Sequence, residues 1–171
     1  MTGREEPAAD PRKMARLILL RQLAARSRTQ AQLREALRKR NVPQDAAEET
    51  LARFVELGLI DDQAYAAELV RSEAERGGLS RRRVRMRLQQ HGVEEELVAL
   101  TVAEISPEDE ERAAMGLARR KAPRWNTLDP ATRRRRLVGV LARRGYGAQT
   151  IHRVVHEVLE ADGSEEDQAY S

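Results

Sequence analysis

Residues 59–93, LIDDQAYAAELVRSEAERGGLSRRRVRMRLQQHGV, spell two helices and the punctuation around them. Asp61 and Asp62 follow Leu59 and Ile60, and either can cap a helix that carries Tyr65, Leu69 and Val70 on its apolar side. Gly77 and Gly78 stop that helix, Ser80 opens the next, and Gly92 ends it. A side-chain oxygen at the start and a left-handed residue at the end satisfy backbone groups that a helix leaves unpaired. The second helix holds Arg81, Arg82, Arg83, Arg85 and Arg87, yet Val84 and Leu88 lie four apart and form a narrow core stripe. Most of its arginines therefore face away from the core.

The same frame occurs on either side. LREALRKRNV (residues 33–42), VRMRLQQHGV (84–93) and LVGVLARRGY (137–146) superpose. Leu33, Val84 and Leu137 coincide, as do Leu37, Leu88 and Leu141. Asn41, Gly92 and Gly145 fall together, and these residue types tolerate the left-handed stop. Val42, Val93 and Tyr146 follow the stop. Further along, Leu51, Val102 and Val155 match, then Phe54, Ile105 and Val158. A period of about 50 residues is the scale of a repeat array. Each unit reads as a three-helix module too small to bury much surface alone. The expected fold is all-α: three tandem three-helix repeats over 11–60, 61–105 and 106–160, arranged as an elongated, curved array. Residues 1–10 and the acidic tail 161–171 are expected to be disordered.

Individual helices follow from their signals. Asp10-Pro11, Ser106-Pro107 and Asp129-Pro130 pair a capping side chain with proline at the first helical position. The first helix runs to Ala25 with Leu17, Leu20 and Leu23 among its apolar positions. The second spans Thr29–Arg40, and the third starts at Pro43 and stops at Gly58. Helices follow over Asp62–Arg76, Ser80–His91, Glu94–Ile105, Pro107–Lys121, Pro130 to the Gly145 stop, and Gln149–Leu159.

Charged residues make up 35% of the 171 and aromatics 3%, so the core is Leu, Val, Ile and Ala. Net charge is only +3, from 31 basic and 28 acidic residues, so an anionic partner must be met by patches. Lysine is confined to Lys13, Lys39 and Lys121, a bias that a GC-rich genome can produce. Cysteine is absent, which excludes disulfides and thiolate metal sites. The longest aliphatic run, Leu17 to Leu20, is far short of a membrane span. A cytoplasmic protein is expected.

Catalysis finds little support. The sequence offers no cysteine nucleophile, no phosphate-cradling glycine loop and no dinucleotide motif. His152 and His156 lie four apart, but the zincin pattern needs Glu where Arg153 stands, and no third ligand is near. The acids Glu94–Glu96 and Glu108–Glu111 suit helix N-termini, where the dipole favours negative charge. No catalytic residue, metal or cofactor is expected. The basic helices are more informative. Arg34, Arg38 and Lys39, then Arg82 and Arg85, then Arg135, Arg136 and Arg143 lie outside the core stripe of the equivalent helix in each repeat. Met86 also points outward. Such a face can meet phosphates or carboxylates, or it can be a solvated surface neutralised by local glutamates. Phe54, Tyr65 and Tyr146 read as core, leaving Trp125 as the one exposed ring, which argues against base stacking.

The stretch around Asp61 resembles the central motif of the RecX family, bacterial regulators of the RecA recombinase. The matching residues are Asp61, Asp62, Tyr65, Ala66, Gly78, Arg81, Arg82, Val84, Leu88, Gly92 and Val93. His91 departs from it, standing where lysine is common. The resemblance implies tandem three-helix repeats and a monomer that binds the RecA–DNA filament. It implies restraint of RecA's ATPase, filament growth and strand exchange, and so a role in DNA repair, recombination and the SOS response. On this expectation Arg81, Arg82, Arg85, Arg135, Arg136 and Arg143, with Arg38 and Lys39, meet the filament or the phosphates of single- or double-stranded DNA. The alternatives are a helix-turn-helix DNA-binding protein acting without RecA and an adaptor for another acidic protein.

Overall fold

A computed structural model describes residues 10–169, with side chains over 10–161. Residues 1–9, for which disorder was expected, lie outside the described residues, as do Tyr170 and Ser171. Among the described residues there are nine α-helices, one 3-10 turn and no strand. The helices are α1 (Pro11–Ala25), α2 (Gln30–Arg38), α3 (Gln44–Glu56), α4 (Asp62–Glu75), α5 (Arg81–Gln90), α6 (Glu95–Ala103), α7 (Pro107–Lys121), α8 (Pro130–Arg143) and α9 (Ala148–Ala169). The 3-10 turn Ala122–Trp125 lies between α7 and α8. The last helix continues past Leu159, where the sequence pattern ended it.

The Asp-Pro and Ser-Pro starts behave as their chemistry dictates. Asp10, Ser106 and Asp129 accept hydrogen bonds from the backbone N–H groups of Arg12 (3.0 Å), Asp109 (3.0 Å) and Thr132 (2.9 Å). At the other end, α2, α5 and α8 stop in one common way. Asn41 (φ 55°), Gly92 (φ 74°) and Gly145 (φ 88°) are left-handed. The next residue then turns its N–H back to the last core leucine: Val42 to Leu37, Val93 to Leu88 and Tyr146 to Leu141, at 3.1–3.3 Å. All six of these side chains are buried.

The chain forms two compact units. The first comprises residues up to Ala66 with Leu88–Leu97, and the second comprises Ala67–Arg87 with Val98 onward. In the first, α1, α2 and α3 pack around Ala15, Leu19, Leu33, Leu37, Leu51 and Phe54. In the second, α7, α8 and α9 enclose Ala114, Leu117, Leu137, Leu141, Val154 and Val158. Of the apolar positions of α1, Leu17 and Leu20 are 61% and 46% exposed, while Ala15 and Leu19 take the core. One reading of the sequence changes here: Trp125 is no free ring but packs against the core of the second unit.

Candidate interaction surface and the joints that hold it

The motif residues assemble the start of α2. Thr29, fully buried, caps α2 by accepting from the Gln32 N–H (3.2 Å), and its hydroxyl donates to the His91 carbonyl (2.6 Å). The first N–H of the helix, on Gln30, donates to the Asp62 carboxylate at 2.9 Å. Asp61 and Asp62 thus divide their work: Asp61 caps its own helix through the Ala64 N–H (2.8 Å), while Asp62 serves α2. Burial pushes the Asp62 carboxyl above its ordinary range, against the Gln30 N–H, which favours the charge. The Tyr65 hydroxyl pairs with His91 Nδ1 at 2.7 Å. A Cβ at Gly92 would stand 2.4 Å from the Ala31 Cβ, so only glycine allows this approach.

The second unit repeats the joint. Ser80, fully buried, accepts from the Arg83 N–H (3.1 Å) and donates to the Arg144 carbonyl (3.0 Å). The first N–H of α5, on Arg81, donates to the Glu110 carboxylate at 3.0 Å. A Cβ at Gly145 would fall 2.9 Å from Ser80 Oγ. Glu110, read from sequence as a helix-dipole acid, is therefore also a capping ligand for a neighbouring helix. Gly78 has a separate role: a Cβ there would lie 2.4 Å from Arg144 Nη1 and 3.3 Å from Glu73 Oε2.

Glu73 is the residue the sequence reading missed. Its side chain is 2% exposed, and its carboxylate is gripped by Arg83 Nε (2.8 Å) and Arg87 Nη1. A buried carboxylate requires such partners. Its sequence signal was faint: a Glu on the apolar flank of α4, with arginines that read as surface.

These contacts sort the arginines. Arg81 donates both Nε (2.7 Å) and Nη2 to the Ile105 carbonyl, closing the end of the α6 segment. Arg85 is half-buried and already partnered. On α2, Arg38 forks onto Glu35 at 2.6 and 2.7 Å, with Lys39 3.6 Å from the same carboxylate. The hydrogen bonds from Arg38 lead in holding the Glu35 carboxyl down to about 2. Arg34 forks onto Glu48 at 2.6 and 3.0 Å. The α2 face is thus neutralised locally.

The α8 face is different. Arg134, Arg135, Arg136 and Arg143 are exposed and make no ion pair among the described residues. At about 100° per residue, Arg135, Arg136 and Arg143 surround Gly139 opposite the Leu137–Leu141 stripe. Arg143 Nη1 lies 3.2 Å from where a Gly139 Cβ would sit, so its guanidinium folds back along the helix. Arg82 on α5 is also exposed and without an ion pair among the described residues. The result is a polycationic helix face centred on Gly139, whose missing side chain leaves room for the Arg143 guanidinium.

Other chemistry is sparse. His152 and His156 are exposed on α9 with ring centroids 6.3 Å apart, and His156 Nδ1 pairs with Glu160 at 3.0 Å. Among the described residues no group of three or more His, Cys, Asp or Glu could hold a metal ion, and no helix is long and apolar enough to cross a membrane.

Comparison with known proteins places these features in a family. Residues 15–54, 61–101 and 108–155 match the first, second and third three-helix domains of RecX. The chain is 45% identical to the regulatory protein RecX of Streptomyces coelicolor, over 94% of this chain and 85% of that one. It is 44% identical to the regulatory protein RecX of Thermobifida fusca, over 90% and 83%. The crystal structure of RecX from Lactobacillus salivarius superposes with a TM-score of 0.76 at 19% identity, covering 88% of this chain and 97% of that one. The fold is thus three tandem three-helix domains. The chain belongs to the RecX family of regulatory proteins.

Proposed function

We propose that this protein acts in the cytoplasm as a monomer that binds the RecA–DNA filament. It restrains RecA's ATP hydrolysis, filament growth and strand exchange, and so modulates recombination and repair. It works as a ligand of the filament, with no catalysis, metal or cofactor of its own. The observation that carries this reading is the uncompensated α8 face, with Arg135, Arg136 and Arg143 around Gly139, in a chain of the RecX family. Guanidinium forks bind phosphate or carboxylate at two points. Gly139, lacking a side chain, lets the Arg143 guanidinium lie along the helix between Arg135 and Arg136. Arg82 extends the set; Arg81, Arg85, Arg38 and Lys39, engaged within the chain, leave it.

The test is single-strand-dependent ATP hydrolysis by RecA as the protein is titrated in. Inhibition at amounts well below RecA is expected. Replacing Arg135, Arg136 and Arg143 with serine should raise the half-inhibitory concentration about tenfold or more and flatten its salt dependence, since each phosphate contact adds to the salt slope. Active RecA left unaffected by the folded wild-type protein would refute the reading.

A further inference from the structure

The α1 helix carries the feature that the α8 face does not explain. Its inner face, Ala15 and Leu19, is fully buried in the first unit. Its outer face holds Met14, Leu17 and Leu20, exposed by 43%, 61% and 46%. These side chains are three apart and form one stripe, with Lys13 and Arg21 beside Leu17 on the wheel. A surface helix ordinarily turns polar residues outward, and a helix apolar on both faces is ordinarily covered on both. The segment PRKMARLILLRQLAA contains no acidic residue. Of its cations only Arg12 is ion-paired, to Glu49 at 2.6 Å; Lys13, Arg16 and Arg21 are exposed and have no ion pair among the described residues.

We infer that the outer face of α1 is a protein-docking surface for an acidic, apolar-centred patch, and, resting on the reading above, that this patch belongs to the protein coat of the filament. Phosphate contact gains nothing from an exposed leucine, whereas a protein surface does. The cations of α1 select a partner rimmed by carboxylates, so the charge is complementary to an acidic face. A second copy docked face to face would set these same cations against one another. Residues 1–9, MTGREEPAA, hold no large apolar side chain beyond Met1 to cover the stripe. A lipid surface suits a helix free to roll, whereas the inner face of α1 is fixed in a core. The two helices then divide recognition: α8 takes polyanion, α1 takes protein.

The experiment compares wild type, the double variant Met14→Gln with Leu17→Gln, and the charge reversal Lys13→Glu with Arg21→Glu. Both pairs change exposed positions. The probes are RecA filaments on single-stranded DNA, the same DNA bare, vesicles containing phosphatidylserine, and the protein itself in sedimentation. The expected result is about a tenfold or greater loss of filament affinity in each double variant, as loss of a small apolar centre gives. Affinity for bare DNA and the unfolding midpoint should stay at wild-type values. Unchanged filament affinity in the glutamine variant overturns the inference and leaves the filament reading intact. Vesicle binding, or self-association, that is lost in that variant overturns it in favour of a lipid surface or a second copy. Wild-type protein that fails to bind the filament overturns both readings together.

Discussion

Replacing Glu73 with glutamine removes one negative charge from a site where two guanidinium groups converge. The carboxylate is 2% exposed, while Arg83 and Arg87 keep 31% and 29% of their side-chain surface in water. Breaking a wholly buried ion pair costs about 3–5 kcal/mol, because the abandoned charge stays desolvated. Here the abandoned charges are the arginines, and each can turn its remaining exposed edge to water. Glutamine also keeps one carbonyl acceptor. We therefore expect a loss of about 2 kcal/mol for Glu73→Gln and about 3 for Glu73→Ala. The assay is urea unfolding followed by the fluorescence of Trp125, which packs in the core of the second unit. The midpoint should fall with the slope unchanged, since the surface exposed on unfolding is the same. Arg87→Met closes a double-mutant cycle whose coupling energy with Glu73→Gln should be about 1–2 kcal/mol. A loss below about 0.5 kcal/mol, or a coupling near zero, would refute the view that this carboxylate is held by its arginines.

Tyr146 is 5% exposed, and its buried hydroxyl has no hydrogen-bond partner among the described residues; Tyr146→Phe should stabilise the second unit by about 1 kcal/mol in the same assay. Burial also pushes the Tyr146 phenol up to about 12, so its contribution is complete below the ordinary value of 10.0 and is lost as pH rises from there; the phenylalanine variant should lack this alkaline decline. Thr29→Val and Ser80→Ala each remove a capping hydroxyl that also donates across a joint, and each should cost about 1–2 kcal/mol by chemical denaturation; a loss confined to a few tenths would mean the joints are incidental. Asp62 has a folded-state value above its ordinary 3.8, so wild type should gain stability relative to Asp62→Asn as pH falls from ~6 to ~3, measured by urea midpoints at each pH; a flat difference would refute its burial. Asp109, Asp129 and Glu35 act in the opposite sense, since their hydrogen bonds depress them and their stabilisation is lost on acidification.

Local chemistry made most of the fold legible. A capping oxygen followed by proline fixes a helix start within four residues, and Asn or Gly after a leucine stripe fixes its end; neither depends on distant contacts. The stripe positions Leu33, Leu37, Val84, Leu88, Leu137 and Leu141 are all fully buried. What escaped depends on distance in the chain. Leu17 and Leu20 have the right spacing for a core face, and only packing against α2 and α3 selects Ala15 and Leu19 instead. Glu73 looks like any helix glutamate until Arg83 and Arg87 close on it. Arg38 and Arg135 look alike in sequence, yet Glu35 neutralises the first and nothing among the described residues pairs with the second. Charge patches are differences between near neighbours in space, so a run of arginines does not locate them.

The two joints also set an order in time. The hydroxyl of Thr29 waits for a carbonyl 62 residues further along, and that of Ser80 for one 64 residues further. During synthesis α2 leaves the ribosome with its capping side chain half used and its first N–H open to water. Both are completed only when Asp62 and His91 follow. Each stretch of this chain is therefore finished by the stretch that comes after it. A nascent or truncated protein ending near Ile60 would hold a core without its closing bonds, and would be the form most exposed to proteolysis.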